Sequence, residues 1–101
     1  MIHIYVIYPT LKEARHITHL VLKRHLAACV NLFPVESEYW WQGKLVKNKE
    51  IVSIIKSQKQ NYKKIETLIR KNHSHKVPCI LELPINRVFK PYAQWLNKET
   101  K

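Results

Sequence analysis

The chain contains a single glycine, no aspartate and only two cysteines in 101 residues. A loop that cradles phosphates, of the P-loop or dinucleotide-binding kind, needs several glycines and is therefore excluded. The lack of aspartate removes the commonest third member of a Ser-His catalytic arrangement, although glutamate could replace it. Two cysteines are too few for a disulfide scaffold. We therefore expect a binding protein and not an enzyme.

Long apolar runs are also missing. No stretch is long enough to span a membrane, and residues 1–9 have neither the basic start nor the length of a secretory signal. We expect a cytoplasmic protein with no membrane partner. The length suits one compact domain, which covers residues 1–101.

Positive charge is present in excess. Eighteen Lys and Arg face seven acidic residues, all of them glutamate, and the formal net charge is +11. Such a charge attracts nucleic acid or an anionic membrane surface. The lysines are scattered without a dense basic run, which disfavours a dedicated nucleic-acid-binding role and favours a solvated surface.

Residues 28–56 contain two runs of β-branched and aromatic residues on either side of Gln42-Gly43. The pattern predicts one long β-hairpin in which Gly43 supplies the positive φ of the turn. Pro34 cannot donate to a strand ladder, so it predicts a bulge or an edge position. We also expect a bend near Ser37 and a small bulge at residues 48–50. Because the hairpin is longer and more aromatic than a small sheet needs, its tip should contact a partner, within the fold or in another subunit.

The rest of the chain predicts five further elements. Alternating apolar residues predict a strand over residues 2–8, and a capping box at residues 10–13 begins a helix that runs to about His25. A second helix is expected over 61–72, a strand over 79–83, and a short helix over 91–98. The order β-α-β-β-α-β plus a C-terminal helix indicates an α+β ferredoxin-like split β-α-β sandwich.

This fold also predicts the state of the cysteines. Right-handed crossovers place the first and third strands in the centre of the sheet and the second and fourth at its edges. Cys29 and Cys79 then begin opposite edge strands, about 14 Å apart across three steps of about 4.8 Å. A disulfide spans about 7 Å between Cα atoms at most. We therefore expect no disulfide within the chain.

Two stretches of the chain resemble the CutA family of divalent-cation tolerance proteins. They are Leu26-Ala27-Ala28-Cys29-Val30-Asn31 and Tyr39-Trp40-Trp41-Gln42-Gly43-Lys44. Further matches follow in order at Ile54-Ile55-Lys56, Val77-Pro78, Leu83-Pro84-Ile85, Tyr92 and Trp95-Leu96, so the resemblance covers essentially the whole chain.

The resemblance implies a ferredoxin-like fold and a homotrimer in which the long hairpins join the sheets of neighbouring subunits. It implies a cytosolic protein linked to tolerance of copper and other divalent cations, with copper binding reported for members. A trimeric plan shared with the PII signalling proteins suggests a signalling role. The family implies no reaction.

The chain departs from the family pattern in one loop. Members usually carry His-Pro-Tyr, two residues, then Pro-Glu, whereas this chain has Ser74 in place of Pro, His75 in place of Tyr and Cys79 in place of Glu. Any family function carried by that Tyr and Glu in the cleft between subunits is therefore in doubt here.

The altered loop provides the first candidate site, for metal. His73, His75 and Cys79 have the spacing of ligands in an extended segment, and their nitrogen and sulfur atoms suit Cu(I) or Zn(II). Cys29 matches a recurring position of the family and is a further candidate thiol or metal ligand. The alternative is a solvated histidine pair with two small, packed cysteines.

The second candidate site is a ligand cleft made by Tyr39, Trp41, Lys44, Glu50 and Lys56. Aromatic side chains beside a few charges suit a pocket for a small polar ligand, and Lys56 is placed to bind an anion or to pair with Glu50 across subunits. The alternative is that the aromatic residues only anchor the trimer interface. Two functions thus follow: binding of a metal or small ligand at subunit clefts, or a PII-like module that binds a small anion and has no metal role.

Overall fold

A computed structural model describes residues 1–101 and contains four strands and three α-helices. In chain order these are β1 (Ile2–Tyr8), α1 (Leu11–Lys23), β2 (Cys29–Trp41), β3 (Lys44–Ser57), α2 (Tyr62–Asn72), β4 (Ile80–Pro84) and α3 (Lys90–Glu99). A short 3-10 turn, Lys59–Asn61, precedes α2. The order confirms the predicted ferredoxin-like α+β fold with its long hairpin.

The four strands form one antiparallel sheet in the order β2-β3-β1-β4, as the right-handed crossovers predict. Cys29 aligns with Lys56, and Lys56 aligns with His3 near the start of β1. Cys79 lies at the far end of β1, where its carbonyl accepts a hydrogen bond from Ile7 N. The two cysteines therefore occupy opposite edges and opposite ends of the sheet, and both are free thiols. No helix of the structure has the length and apolar character needed to cross a membrane.

The core lies between one face of the sheet and helices α1 and α2. Along β1 the fully buried residues alternate with half-buried ones, so every second side chain faces the helices. The cluster contains Ile2, Ile4, Val6 and Tyr8 from β1, Ala14, Ile17 and Val21 from α1, and Ile65, Leu68 and Ile69 from α2. Burying one aliphatic side chain of this size stabilises the fold by about 1.5–3 kcal/mol. Leu22, which the helical pattern places inward, lies instead on the exposed side of α1.

The other face of the sheet has no helical cover of this kind. Phe33, Leu81 and Leu83 point away from the helices and are 37%, 50% and 41% exposed. Trp95 of α3, expected to face inward with Leu96, is 42% exposed, whereas Leu96 is fully buried. Phe33 lies on the β2 edge of this face, and Leu81 and Leu83 lie on its β4 edge. Exposed apolar side chains along both edges favour an interaction face.

The hairpin extends beyond the rest of the sheet. The last pair between β1 and β3 is Tyr8↔Ile51, but β2 and β3 continue through seven more pairs, from Val35↔Glu50 to Trp41↔Lys44. We call this free ribbon, residues 35–50, the arm. Its tip exposes Trp40 (73%) and Leu45 (58%).

The register of the arm corrects one expectation. Pairing runs without interruption past residues 48–50, so there is no bulge there. Of the two alternatives for Pro34, the structure has the edge position and no bulge. Pro34 is accommodated because β2 is the edge strand, where a missing amide hydrogen leaves no partner unsatisfied. The turn itself is as expected: Gln42 and Gly43 have φ values of 50° and 77°, the combination of a type I′ turn.

Helix α1 ends at Lys23, two residues before the predicted end, and its C-terminal cap contains no glycine. His25 N donates to the Leu22 carbonyl and Leu26 N to the Val21 carbonyl, which is the Schellman pattern. This pattern needs a residue in the left-handed conformation directly after the C-cap, and His25 adopts that conformation with a φ of 55°. The chain therefore uses a histidine where most helices use glycine.

The turn of the arm gives a first testable prediction. Gly43→Ala should lower the free energy of unfolding by about 1 kcal/mol, because an L-residue is strained in the left-handed region. A clash is not the cause, since no atom lies within 4 Å of an added Cβ. Chemical denaturation at fixed protein concentration measures the effect. Gln42→Ala is the matched control, because Gln42 already holds a positive φ with a side chain and should change stability by less than about 0.5 kcal/mol. Equal losses in the two variants would contradict this explanation.

Candidate functional site

A groove of about 720 Å³ lies between the arm, the end of β1 and the loop that joins α2 to β4. Its lining contains five residues singled out from the sequence, namely Tyr39, Trp41, Glu50, His75 and Cys79. Five further residues complete it: Ile7, Glu36, Ser37, Glu38 and Val77. We call it the acidic groove. Half of the candidate metal site and most of the candidate ligand cleft are thus one place.

One carboxylate, that of Glu50, faces into the groove. Glu36 and Glu38 also border it, but in the register of the arm they pair with Lys49 and Lys47 on the face opposite to Glu50. Glu38 forms an ion pair with Lys47 at 3.4 Å, in which both side chains are more than half exposed. Such an exposed pair contributes little. Glu50 therefore supplies the negative charge of the groove.

Glu50 is the most buried of these carboxylates, with 7% of its surface exposed. It aligns with Val35 at the base of the arm. Neither of the two ion pairs of the chain involves it. Its oxygens are not among the fully buried polar atoms that lack a partner, so the carboxylate keeps contact with the open space of the groove.

Cys79 enters the groove just before β4 begins. Burial raises the pKa of the Cys79 thiol, and the nearby charge of Glu50 raises that pKa further. The thiol is thus protonated at neutral pH and a poor nucleophile, which argues against covalent catalysis. A bound metal ion reverses this effect, because coordination deprotonates a thiol and its positive charge offsets that of Glu50.

His75 supplies the imidazole of the groove. Its backbone amide donates to His73 Nδ1 at 3.0 Å, which fixes the loop while the side chain remains exposed. The ring is tilted against that of His73, with centroids 5.1 Å apart. No side-chain hydrogen bond occupies its ring nitrogens within the chain. An exposed, unoccupied imidazole is a competent metal ligand.

His73 lies outside the groove and is fully engaged. Its side chain has no exposed surface, and Nε2 donates to the carbonyl of Ile7 at 2.7 Å. Nδ1 accepts the His75 amide and lies 3.5 Å from Glu13 Oε2. With both nitrogens occupied, His73 is a structural residue in this arrangement, and it does not join His75 and Cys79 in the lining of the groove.

Glu13 and Tyr8 complete the surroundings of His73. The Thr10 hydroxyl accepts the Glu13 amide as the capping box predicts, but the Glu13 carboxylate does not close the box: it accepts the Ser74 amide at 3.3 Å. The Tyr8 ring stacks on His73 at 5.1 Å between centroids. Burial raises the pKa of Tyr8 to about 12; Ser53 opposes the shift, and the charge of Glu13 adds to it. Neither the Tyr8 nor the Ser53 hydroxyl completes a hydrogen bond.

Cys29, Lys56 and Lys44 lie away from the groove. Cys29 and Lys56 align with each other near the opposite end of the sheet. There, Lys56 Nζ lies 5.6 Å from the centre of the Tyr92 ring. Lys44 flanks the turn at the tip of the arm. The prediction that Cys29 binds a metal together with His73, His75 and Cys79 is therefore wrong within a single chain, because the sheet separates Cys29 from the loop. Within one chain, no three His, Cys, Asp or Glu side chains are arranged to hold a metal ion.

Sequence reasoning missed Glu36 and Glu38, which border the groove. Two glutamates two apart in an aromatic strand were a visible signal, but the register places both on the face of the arm opposite to Glu50. Tyr39 is also fixed here, since Asn48 Nδ2 donates to its hydroxyl at 2.6 Å.

Comparison with known proteins gives one consistent family. The family model for the CutA1 divalent ion tolerance protein matches residues 2–99. A divalent-cation tolerance protein CutA from Archaeoglobus fulgidus is 36% identical over 95 residues, which are 94% of this chain and 93% of that protein.

Solved structures agree with the sequence matches. The A. fulgidus structure, described as a periplasmic divalent cation tolerance protein, superposes with a TM-score of 0.97 at 34% identity and full coverage of both chains. CutA1 from Pyrococcus horikoshii gives a TM-score of 0.96 at 32% identity, covering 100% of this chain and 99% of that one.

The network around His73 predicts a large difference between two histidines. His73→Phe keeps a ring beside Tyr8 but leaves the Ile7 carbonyl and the His75 amide without partners, so it should cost about 1–3 kcal/mol of unfolding free energy. His19→Phe, on the exposed side of α1, is the matched control and should change stability by less than about 0.5 kcal/mol. Urea denaturation measures both. A similar loss in the two variants would show that the network does not stabilise the fold.

Tyr8 predicts a loss of stability in alkali. Its pKa is about 12 in the folded chain and 10.0 without the fold, so its contribution is complete below pH 10 and is lost as the pH rises towards 12. Tyr8→Phe should remove that part of the alkaline loss, on the order of 2 kcal/mol, and should not destabilise the protein at neutral pH, because it deletes an unpaired buried hydroxyl. Denaturation across this pH range tests it, with Tyr5→Phe on the other face of β1 as control. An unchanged alkaline loss in Tyr8→Phe would refute it.

Proposed function

Because the chain belongs to the CutA1 family of divalent ion tolerance proteins, we propose that it acts in divalent-cation tolerance by binding a metal ion in the acidic groove. Copper is the first candidate and zinc the second. The candidate ligands are the Cys79 thiolate, the His75 imidazole and the Glu50 carboxylate, which line the groove. Because these three are not arranged to hold an ion within one chain, a neighbouring subunit would have to supply part of the ligand set. No reaction is assigned to the chain.

One observation carries this proposal. The Cys79 thiol, whose pKa is raised by burial and by the adjacent Glu50 carboxylate, faces a groove that also contains the unoccupied imidazole of His75. Thiolate and imidazole are soft and intermediate ligands that suit Cu(I) and Zn(II), and a carboxylate is acceptable to zinc. A cation in the groove would neutralise the charge of Glu50 and favour the thiolate form of Cys79.

The assembly belongs to the same proposal. We infer a homotrimer in which the arm of one subunit lies against a neighbouring sheet. Its support is the free arm with the exposed tip residues Trp40 and Leu45, together with the uncovered apolar face at Phe33, Leu81 and Leu83. Since the arm forms one wall of the groove, a neighbouring subunit that packs against the arm would complete the enclosure and exclude water from the ion.

A second candidate function is the binding of a small anion at Lys56, without a metal role. The observation in its favour is that Lys56 has no carboxylate partner and lies over the Tyr92 ring. Burial lowers the pKa of the neighbouring His3, and the charge of Lys56 lowers it further. This end of the sheet therefore carries positive charge that an anion would neutralise, as in a PII-like regulatory module.

The cytoplasm is the proposed location, and the state of Cys79 depends on it. A reducing compartment keeps the free thiol of Cys79 reduced and available as a ligand. The A. fulgidus relative is described as periplasmic, and in an oxidising compartment a free thiol is exposed to oxidation. Cell fractionation with thiol labelling of Cys79 would decide between the two locations.

Metal binding is tested by native mass spectrometry of the reduced protein with Cu(I), Cu(II) and Zn(II). We expect a trimer that takes up one ion per subunit. The double variant His75→Gln/Cys79→Ser should lose more affinity than the roughly 10- to 100-fold that removal of a supporting partner costs. His19→Gln/Cys29→Ser changes one imidazole and one thiol outside the groove and should bind like the unaltered protein.

The outcomes separate the proposals. Equal metal uptake by both double variants would place the ion elsewhere and overturn the groove as the site. A metal-free trimer whose anion binding depends on Lys56 would favour the second candidate function. A monomer at micromolar concentration would overturn the proposed assembly.

A further inference from the structure

We propose that this protein has a second binding site, for a small phosphate-bearing anion, on the other side of the α2–β4 loop. The site is a recess of about 540 Å³ without a hydrophobic residue in its lining. The residues used below are Thr67, Arg70, Lys71, Ser74, His75 and Lys76. We call it the basic recess. It is distinct from the acidic groove and from Lys56.

Helical spacing builds one wall of the recess. Thr67, Arg70 and Lys71 stand three and four residues apart in α2, so they lie on one side of the helix. All three are exposed. The chain then leaves α2 and turns back through Ser74 and Lys76, which bring a hydroxyl and a third cation to the same recess. The position of this loop is held by His73, whose hydrogen bond to Ile7 anchors it to β1.

The charges of the recess have no partner within the chain. Neither of the two ion pairs of the protein involves Arg70, Lys71 or Lys76, and no carboxylate lines the recess. Two acidic groups lie near the recess. Glu13 accepts the Ser74 amide and lies beside His73, and Glu66, four residues before Arg70 in α2, accepts a hydrogen bond from the Tyr62 hydroxyl. Three cations around one concave surface repel each other, and an anion between them removes that repulsion.

A favourable interaction with the end of α2 explains only part of this arrangement. Cations in the last turn of a helix interact with its dipole, which accounts for Arg70 and Lys71. It does not account for Lys76, which lies beyond the helix, nor for the hydroxyl groups of Thr67 and Ser74 in the same lining. The concavity and the mixture of donors go beyond what a helix end requires.

The donor set favours phosphate over other anions. Guanidinium binds two phosphate oxygens at once, ammonium groups supply point charges, and serine and threonine hydroxyls donate to the remaining oxygens. The absence of apolar lining disfavours a ligand that carries a large hydrophobic group. The volume exceeds the needs of one phosphate, so a diphosphate or a phosphate ester of a small polar molecule fits the recess better than a single inorganic phosphate.

His75 lines both the basic recess and the acidic groove. A phosphate-bearing ligand in the recess would therefore lie next to the ion proposed for the groove, with the His75 ring between them. The recess nevertheless stands without the metal: its cations and hydroxyls are separate from Cys79 and Glu50, and its test uses metal-free protein.

The test is calorimetric titration of the metal-free protein with pyrophosphate, and separately with glycerol 1-phosphate, at low ionic strength. The first ligand represents a free diphosphate and the second a phosphate ester. The recess variant is Arg70→Gln/Lys71→Gln/Lys76→Gln, and binding should weaken about tenfold or more, as expected for three exposed charge contacts. The control variant Arg15→Gln/Lys23→Gln/Lys98→Gln removes one arginine and two lysines at exposed positions elsewhere, and it should bind like the unaltered protein.

Each outcome decides the matter. Loss confined to the recess variant supports the site. Equal weakening in both triple variants would mean that the ligand responds only to the net charge of +11, and it would overturn the site. A lack of binding to the unaltered protein would also overturn it. A duplex DNA fragment that binds with a steep salt dependence, and that pyrophosphate does not displace, would make nucleic acid the partner and overturn the small-anion proposal. The recess variant keeps His75 and Cys79, so its metal uptake should be unchanged; this separates failure of the recess from failure of the groove.

Discussion

His73 donates a hydrogen bond from Nε2 to the carbonyl of Ile7, and its Nδ1 receives the amide of His75. A wholly buried ring thereby joins the end of the central strand β1 to the loop that follows α2. Tyr8 stacks on one side of the ring, and Glu13 at the start of α1 lies beside Nδ1 and receives the Ser74 amide. The loop has little core of its own, so this contact determines where His75 and Cys79 meet the arm and where Lys76 meets α2. Both proposed sites depend on it.

The distribution of charge gives the two sites opposite character. Glu50, one of only seven acidic residues, faces the acidic groove, while the cations Arg70, Lys71 and Lys76 lie across the loop in the basic recess. Opposite fields a few residues apart are not expected from a surface that merely keeps the protein soluble. A net charge of +11 describes the molecule as a whole, but recognition depends on these local departures from it.

The sequence was sufficient for the fold, because periodicity, turn chemistry and helix caps agree with one another. Strand order, the positive φ of the turn at Gly43 and the free cysteines all followed from local rules and crossover handedness. The candidate sites were harder to predict. Glu50, Tyr39 and His75 were identified separately, but their meeting depends on the uninterrupted register of the arm, which the expected bulge at residues 48–50 would have broken. His73 was chosen as a ligand because its spacing suits one, and only the fold revealed that both of its nitrogens are already occupied.

The free arm has a consequence for inheritance. A two-stranded ribbon is marginally stable in water by itself, and beyond Tyr8↔Ile51 the hairpin has no third strand in its own chain. In the proposed homotrimer, the order of the arm would come from the neighbour that covers it, so folding of the tip and assembly would be one concentration-dependent step. A faulty tip would then harm the sheet and groove of a neighbouring subunit as well as its own. In a cell that makes both altered and unaltered chains, mixed trimers would carry the fault, and such alleles would behave as dominant and not as recessive.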